Sequence, residues 1–296
     1  MEARLLPRPA RSCGQESGRL GLRALCLLGW PMAAALAGSA PPSWQTVQAV
    51  PATQALGRVL TVPAAAATPR LERFLAAAEH GDMAAQAQVG AMYYMGDGAP
   101  KDPAAAAKWY RLAAAQGDAG SQTILGLMYE NGEGLAPDPV EGRMWLQKAA
   151  VAGDRDAQAR LGEIYFLGDG VAQDFKEAAL WLGKAALAGD ADAQARLGAM
   201  YFLGEGLPKD PAAALQWFRK ASQQGNAYAQ GCLGLMYAVG DGVPKDTVEA
   251  FVWLQQAKAG GNPEAVSSLA RVEADLTPAQ LEEARQRAAR AGKGSR

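Results

Sequence analysis

Histidine occurs once in these 296 residues, as His80, and cysteine three times, as Cys13, Cys26 and Cys232. A metal centre built on histidines is therefore excluded, and so is the disulfide framework of a small cystine-stapled domain. Cys13 and Cys26 fall in an N-terminal stretch that reads as a leader, which leaves Cys232 without an internal partner for a bridge. Charge of one sign is also missing, because 29 Lys and Arg face 30 Asp and Glu. The first 40 residues hold five arginines (Arg4, Arg8, Arg11, Arg19 and Arg23) against Glu2 and Glu16, so residues 41–296 are mildly acidic. A nucleic-acid-binding surface needs clustered Lys and Arg, so no nucleic acid is expected as a partner. Aromatic residues make up only 7% of the chain, whereas glycine alone takes 34 positions. A hydrophobic fraction of 49%, rich in alanine, still permits a packed core, one whose small side chains let helices approach closely.

The apolar run over residues 24–37 is shorter than the ~20 residues a membrane-spanning helix needs. It lies behind the arginine-bearing stretch and runs into Gly38-Ser39-Ala40 and Pro41-Pro42, the layout of a secretory signal peptide over residues 1–40. Pro31 within the run and the long basic region leave an organellar presequence, or a wrongly chosen start codon, as the alternative. Arg23-Ala24-Leu25 before Cys26 is unlike a lipoprotein cleavage box, so lipidation is not expected. The mature chain is expected to be periplasmic or secreted with no integral membrane span; a cytoplasmic or organellar protein is the alternative. Residues 41–68, rich in Pro, Ala, Thr and Val without a helical period, read as a linker.

What is present is a period. Trp109, Trp145, Trp181, Trp217 and Trp253 stand 36 residues apart, and so do Tyr93, Tyr129, Tyr165, Tyr201 and Tyr237. The glycine pairs that begin at Gly96, Gly132, Gly168, Gly204 and Gly240 keep the same step, as do Asp102, Asp138, Asp174, Asp210 and Asp246. Five copies, 83–118, 119–154, 155–190, 191–226 and 227–262, therefore tile without insertion. In copy three, Ala157, Leu161, Ile164 and Tyr165 form one helical face, and Ala178, Trp181, Leu182, Ala185 and Ala186 form another. Gly168-Asp169-Gly170 stops the first helix and Asp174 offers an N-cap oxygen to the second. Proline follows that aspartate in three copies, at Pro103, Pro139 and Pro211, the first helical position. Each unit is thus a helical hairpin, and hairpins of this kind gain stability by stacking on neighbours.

Gly90, Gly126, Gly162, Gly198 and Gly234 lie mid-helix, where glycine costs roughly 1 kcal/mol against alanine. Close approach of the paired helix, with the tryptophan filling space beside the glycine, is the expected return. The ends are degenerate. Residues 69–82 supply a lone second helix before copy one. Residues 263–296 supply a sixth first helix with Ala270 and Glu273 in place of the repeat glycine and tyrosine, then a charged helix opened by Thr277-Pro278-Ala279-Gln280 at capping-box spacing.

The string Leu161-Gly162-x-x-Tyr165-x-x-Gly168-x-Gly170-Val171-x-x-Asp174, continued by Ala178, Trp181, Lys184-Ala185-Ala186 and Gly189-Asp190, resembles the Sel-one-like repeat. The resemblance to this tetratricopeptide-related family covers roughly residues 69–291. It implies an all-α fold, an α/α solenoid wound as a right-handed superhelix of 36-residue helix-turn-helix repeats. It also implies a scaffold or adaptor that binds other proteins in envelope, secretion or signalling complexes, with no cofactor. An envelope hydrolase or a cytoplasmic regulatory adaptor is the alternative. Some exported relatives carry a disulfide in every repeat; this chain lacks those cysteines, so the β-lactam binding proposed for that branch is not carried over.

Candidate sites are few. The repeat tryptophans and tyrosines lie on apolar faces and read as structural. The acidic centres of the Gly-x-Gly loops (Asp97, Glu133, Asp169, Glu205 and Asp241) lack both the Walker ending and calcium-loop spacing, so no ion is expected there. His80 precedes Gly81 at a helix end, where it meets the negative end of the dipole, and no nucleophile–base pair can be assembled around it. Cys232 stands where sister copies have Arg160 and Arg196, which implies a partly exposed thiol. By the tetratricopeptide correspondence, the residue after each repeat tyrosine faces an inner groove: Tyr94, Glu130, Phe166, Phe202 and Ala238, followed by Met95, Asn131, Leu167, Leu203 and Val239. From these, Tyr94, Met95, Glu130, Phe166, Leu167, Phe202 and Leu203 are the expected partner-binding residues, centred on copies three and four. The alternative is that the loop covers them as a satellite of the core.

Overall fold

The computed structural model describes residues 68–291. The leader over 1–40 and all but Thr68 of the linker lie outside the described residues. Thirteen α-helices and no strand occur among the described residues. They are α1 (Pro69–Glu79), α2 (Met83–Met95), α3 (Pro103–Ala115), α4 (Ala119–Asn131), α5 (Pro139–Val151), α6 (Arg155–Leu167) and α7 (Phe175–Leu187). The chain continues with α8 (Ala191–Leu203), α9 (Pro211–Gln223), α10 (Ala227–Val239), α11 (Thr247–Ala259), α12 (Glu264–Ala274) and α13 (Pro278–Ala291). Two compact units hold them: residues 68–197 with 205–208, and residues 198–204 with 209–291. In the first unit each helix from α1 to α6 packs on the next in the chain. In the second, α9 packs on α10, α10 on α11, and α11 on both α12 and α13. Packing of consecutive helices in an all-α chain of repeated hairpins is the architecture of an α/α solenoid.

Both turns of every hairpin are made by the residues that repeat. The first helix of copies one, two, three and five ends on a left-handed glycine, as at Gly168 with φ 74°. The loop is then tied back by the aspartate N–H, which donates to the repeat tyrosine carbonyl, as from Asp174 to Tyr165 at 2.9 Å. The same aspartate turns its carboxylate onto the next helix: Asp174 Oδ1 accepts from Lys176 N at 2.9 Å and Glu177 N at 3.1 Å. At the other turn, Asp82, Asp118, Asp154, Asp190 and Asn226 each accept from the N–H three residues on. The final helix opens with a reciprocal capping box, in which Thr277 N donates to Gln280 Oε1 at 3.1 Å and Gln280 N to Thr277 Oγ1 at 3.4 Å.

The mid-helix glycines are contact points, but the tryptophan is not the residue that fills them. A Cβ on Gly162 would lie 2.5 Å from Leu182 Cγ, and one on Gly126 would lie 2.7 Å from Leu146 Cγ and 2.9 Å from the Gly142 carbonyl oxygen. Tyr110, Phe218 and Leu254 occupy the same place against Gly90, Gly198 and Gly234. In each case this is the residue after the tryptophan, which points straight at the paired helix. The tryptophans sit to one side, half-buried in four copies and buried only at Trp181. Cys232 departs from expectation too. Its thiol is fully buried, 0% exposed, among Leu233, Gly234 and Met236 of α10, because this register position faces the core. Arg196 shares that position and is 1% exposed.

Glutamines at a fixed position join one hairpin to the next. Gln86, Gln122, Gln158 and Gln194 are buried, and each donates its side-chain amide to a carbonyl near the end of the preceding second helix at 3.0–3.1 Å. Gln230 does the same to Ser222 at 3.4 Å. The second loop glycine marks another such contact: a Cβ on Gly134 would lie 2.3 Å from the Pro103 backbone, and one on Gly206 would lie 2.1 Å from the Phe175 carbonyl oxygen.

Candidate functional site

The residues after each repeat tyrosine fall at the loop end of the first helices, and their exposure differs from copy to copy. In the first unit Tyr94 is buried, its hydroxyl donating to the Glu133 carboxylate and the Lys101 ammonium lying 5.3 Å over its ring. Burial, reinforced by Glu133, pushes the Tyr94 hydroxyl well above its ordinary pKa. Met95 is exposed, while Glu130, Phe166 and Leu167 are half-buried. In the second unit Phe202 is buried beneath Lys209, whose ammonium stands 5.4 Å from the ring centroid, and Leu203 is half-buried. Lys101 and Lys209 hold one position in the loop, and each places its ammonium over the aromatic ring of its own copy. Copy three has Gln173 there instead, and Gln173 Nε2 donates to the Phe166 carbonyl at 2.7 Å. Its aromatic ring is left less covered, with Phe175 edge-on at 5.3 Å and the Arg196 guanidinium 4.8 Å from the centroid.

Beside Phe166 runs a ladder of ion pairs that crosses three copies. Glu130 of α4 meets Arg160 of α6 at 2.8 Å, and Arg160 also reaches Asp169 at 3.3 Å and Glu163 at 3.8 Å. Glu163 in turn pairs with Arg196 of α8 at 2.7 Å. Burial raises the Glu130 carboxyl above the ordinary carboxylate range, although Arg160 pulls it down. At Arg160 burial acts to lower the pKa, and the surrounding carboxylates outweigh it, so the guanidinium is held above its usual value. Glu130 has one cation beside it and is repelled by Glu163 and Asp169, whereas Arg160 is drawn by all three carboxylates, which is why burial prevails at the glutamate and attraction at the arginine. Such a ladder joins neighbouring hairpins and presents Glu163 and Asp169 to solvent beside an aromatic edge.

The other candidates stay apart from this face. His80 is exposed at the end of α1, with Nδ1 2.5 Å from the Ala76 carbonyl oxygen. The repeat tyrosines make ring and hydroxyl contacts between copies, as where Arg111 donates to the Tyr129 hydroxyl at 2.7 Å and Arg219 to that of Tyr237 at 2.7 Å. Among the described residues no three His, Cys, Asp or Glu side chains are placed to share a metal ion. No described helix is long and apolar enough to cross a membrane. The ladder escaped the sequence reading, yet it has a signal: Arg160 and Arg196 share one repeat position, and Glu130 and Glu163 stand 30 and 33 residues before them.

The repeat now has both a sequence pattern and a set of contacts. A family model of the Sel1 repeat matches residues 84–118, 119–154, 155–190, 191–226 and 227–262. The chain belongs to the Sel1 repeat family. Sel1 repeat proteins are generally protein-interaction scaffolds built on a non-catalytic fold. Among solved structures the Sel1 repeat chain is similar to a protective antigen of uropathogenic Escherichia coli strains that displays an SLR fold, at 35% identity and a TM-score of 0.66. That match covers 75% of this chain and 49% of the antigen, so the chain spans about half the antigen's length. A Sel1 repeat protein from Oxalobacter formigenes is similar at 32% identity and a TM-score of 0.61, over 75% of this chain and 87% of the other. No curated protein matches the chain.

Proposed function

We propose that this Sel1 repeat protein is an adaptor that holds a partner protein on the loop end of its first helices, with copy three at the centre. The observation that carries this reading is Phe166 with Leu167, half-exposed apolar side chains next to the Glu130–Arg160–Glu163 ladder. Neither group is needed for the hairpin, since sister copies place Glu130 or Ala238 where Phe166 stands and Ile124 or Cys232 where Arg160 stands. Tyr94 and Phe202 support their helices from within, while Met95 at the end of α2 is exposed. A partner segment with an apolar anchor for Phe166 and a basic group for Asp169 fits this chemistry, and an aromatic anchor in such a setting dominates binding. The arginine-bearing, apolar stretch over residues 1–40 supports an exported protein serving an envelope, secretion or signalling complex.

The test is affinity capture with the full chain and with Phe166→Ser/Leu167→Ser, from envelope and cytosolic fractions separately. A partner held by the wild type and released by the variant, with the helical signal of the variant intact, supports the groove. A partner that binds both with one affinity overturns it. The fraction that yields the partner, together with the N-terminal residue of the native protein by mass spectrometry, tests export.

A further inference from the structure

The second helices of copies two and three carry an apolar strip on their outer face that the fold does not use. Met144 and Val151 on α5 are 47% and 73% exposed, and Leu180 and Leu187 on α7, at the same two repeat positions, are 49% and 77% exposed. Copy one has Lys108 and Ala115 at these positions and copy four has Gln216 and Gln223, so the hairpin is indifferent to them. Between the two apolar residues of each helix stands a lysine. The Lys148 ammonium lies 3.8 Å from the Trp145 ring centroid and the Lys184 ammonium 3.9 Å from that of Trp181. Each lysine is therefore held in place by its own helix. Among the described residues neither has a carboxylate within ion-pair distance. Glu141, which could have supplied one on α5, accepts instead from the Trp145 indole N–H at 2.9 Å.

We infer that this strip is a second docking surface, separate from the groove, for an acidic amphipathic helix of a partner protein. At matching repeat positions the strip has three lanes: Met144 with Leu180, Lys148 with Lys184, and Val151 with Leu187. A helix with a row of carboxylates flanked by large apolar residues covers all three lanes at once, pairing both ammoniums while the apolar side chains bury one another. The central place of the lysines is what selects a protein over an anionic membrane. A surface-bound helix keeps its cations at the polar rim, whereas here a bilayer would strip water from the two ammoniums without placing an acceptor between the apolar lanes.

The test uses the full chain and two synthetic helical peptides, one with leucines flanking a row of glutamates and one with lysines in place of those glutamates. Fluorescence anisotropy is expected to show binding of the acidic peptide and at most weak binding of the basic one. Val151→Ser/Leu187→Ser should weaken the acidic peptide at least about tenfold, and Lys148→Gln/Lys184→Gln should remove the preference between peptides. These side chains are on the surface, so both variants should keep the wild-type circular dichroism. Phe166→Ser should leave the peptide affinity unchanged, which separates this face from the groove. Equal binding of both peptides by the wild type, or acidic-peptide binding that survives the serine pair, overturns the proposal. So does a strip that binds only phosphatidylglycerol vesicles, or one whose substitutions abolish self-association of the chain without touching peptide binding.

Discussion

Gly162 and Gly183 belong to the two helices of one hairpin and have opposite surroundings. A methyl group on Gly162 would lie 2.5 Å from Leu182 Cγ and 3.0 Å from the Leu182 backbone nitrogen, while a methyl group on Gly183 meets nothing within 4 Å. Overpacking a core costs about 1–3 kcal/mol, which exceeds the gain in helix propensity of about 1 kcal/mol. Gly162→Ala is therefore expected to lower stability and Gly183→Ala to raise it by about 1 kcal/mol in urea unfolding. A Gly162→Ala protein as stable as the Gly183→Ala protein would show that the helices of copy three do not touch there. The glycine itself was legible in the sequence because it repeats. Its partner was not, for a reason of phase. Trp181 and Leu182 are neighbours in the chain and about 100° apart around the helix, and with alanine on either side both rotations leave an apolar face. Cys232 was misjudged from the residue type of its sisters, since Arg196 at the same register is itself buried.

At the scale of the element, the turns were the most legible part of the molecule, because capping chemistry is local. An aspartate followed by a helix, or a glycine after one, acts over three or four residues and needs no knowledge of the fold. Asp174 caps α7 through two N–H groups, whereas Asp246 caps α11 through Glu249 N alone, at 2.9 Å. Asp174→Ala is expected to cost about 1 kcal/mol, and Asp246→Ala less, in paired chemical-denaturation curves. Equal losses would mean that the number of capped donors does not set the strength of this turn. The ion-pair ladder is the contrary case. Its members come from three helices in three copies, and a pairing of that kind depends on the offset between stacked hairpins, which the sequence states only after the stack is known.

For the whole molecule, the ends are where a stack is vulnerable. In the second unit α13 lays Leu281, Ala284 and Ala288 against Phe251, Leu254, Leu269 and Val272. A chain stopped after Asp275 would leave that apolar surface to water, and terminal units with a polar outer side are what keep a repeat array soluble. Such a truncation is expected to bind a hydrophobic dye strongly and to lose solubility on concentration, while retaining most of its far-ultraviolet helical signal. A truncated chain that stays dispersed and dye-free would mean that α13 is an appendage and not a cap.

The buried glutamines have a consequence of another kind. Gln122, Gln158 and Gln194 each meet a carbonyl at the same place on the hairpin before, at 3.0 Å. What one copy offers its successor is therefore interchangeable with what any other copy offers. A coding segment for 36 residues can be gained or lost by recombination between copies, and the new junction arrives with its hydrogen bond already specified. Lineages carrying this gene are free to vary the number of copies, while a one-residue change between Ala114 and Gln122, or at the matching turn of another copy, would strand a glutamine without its acceptor.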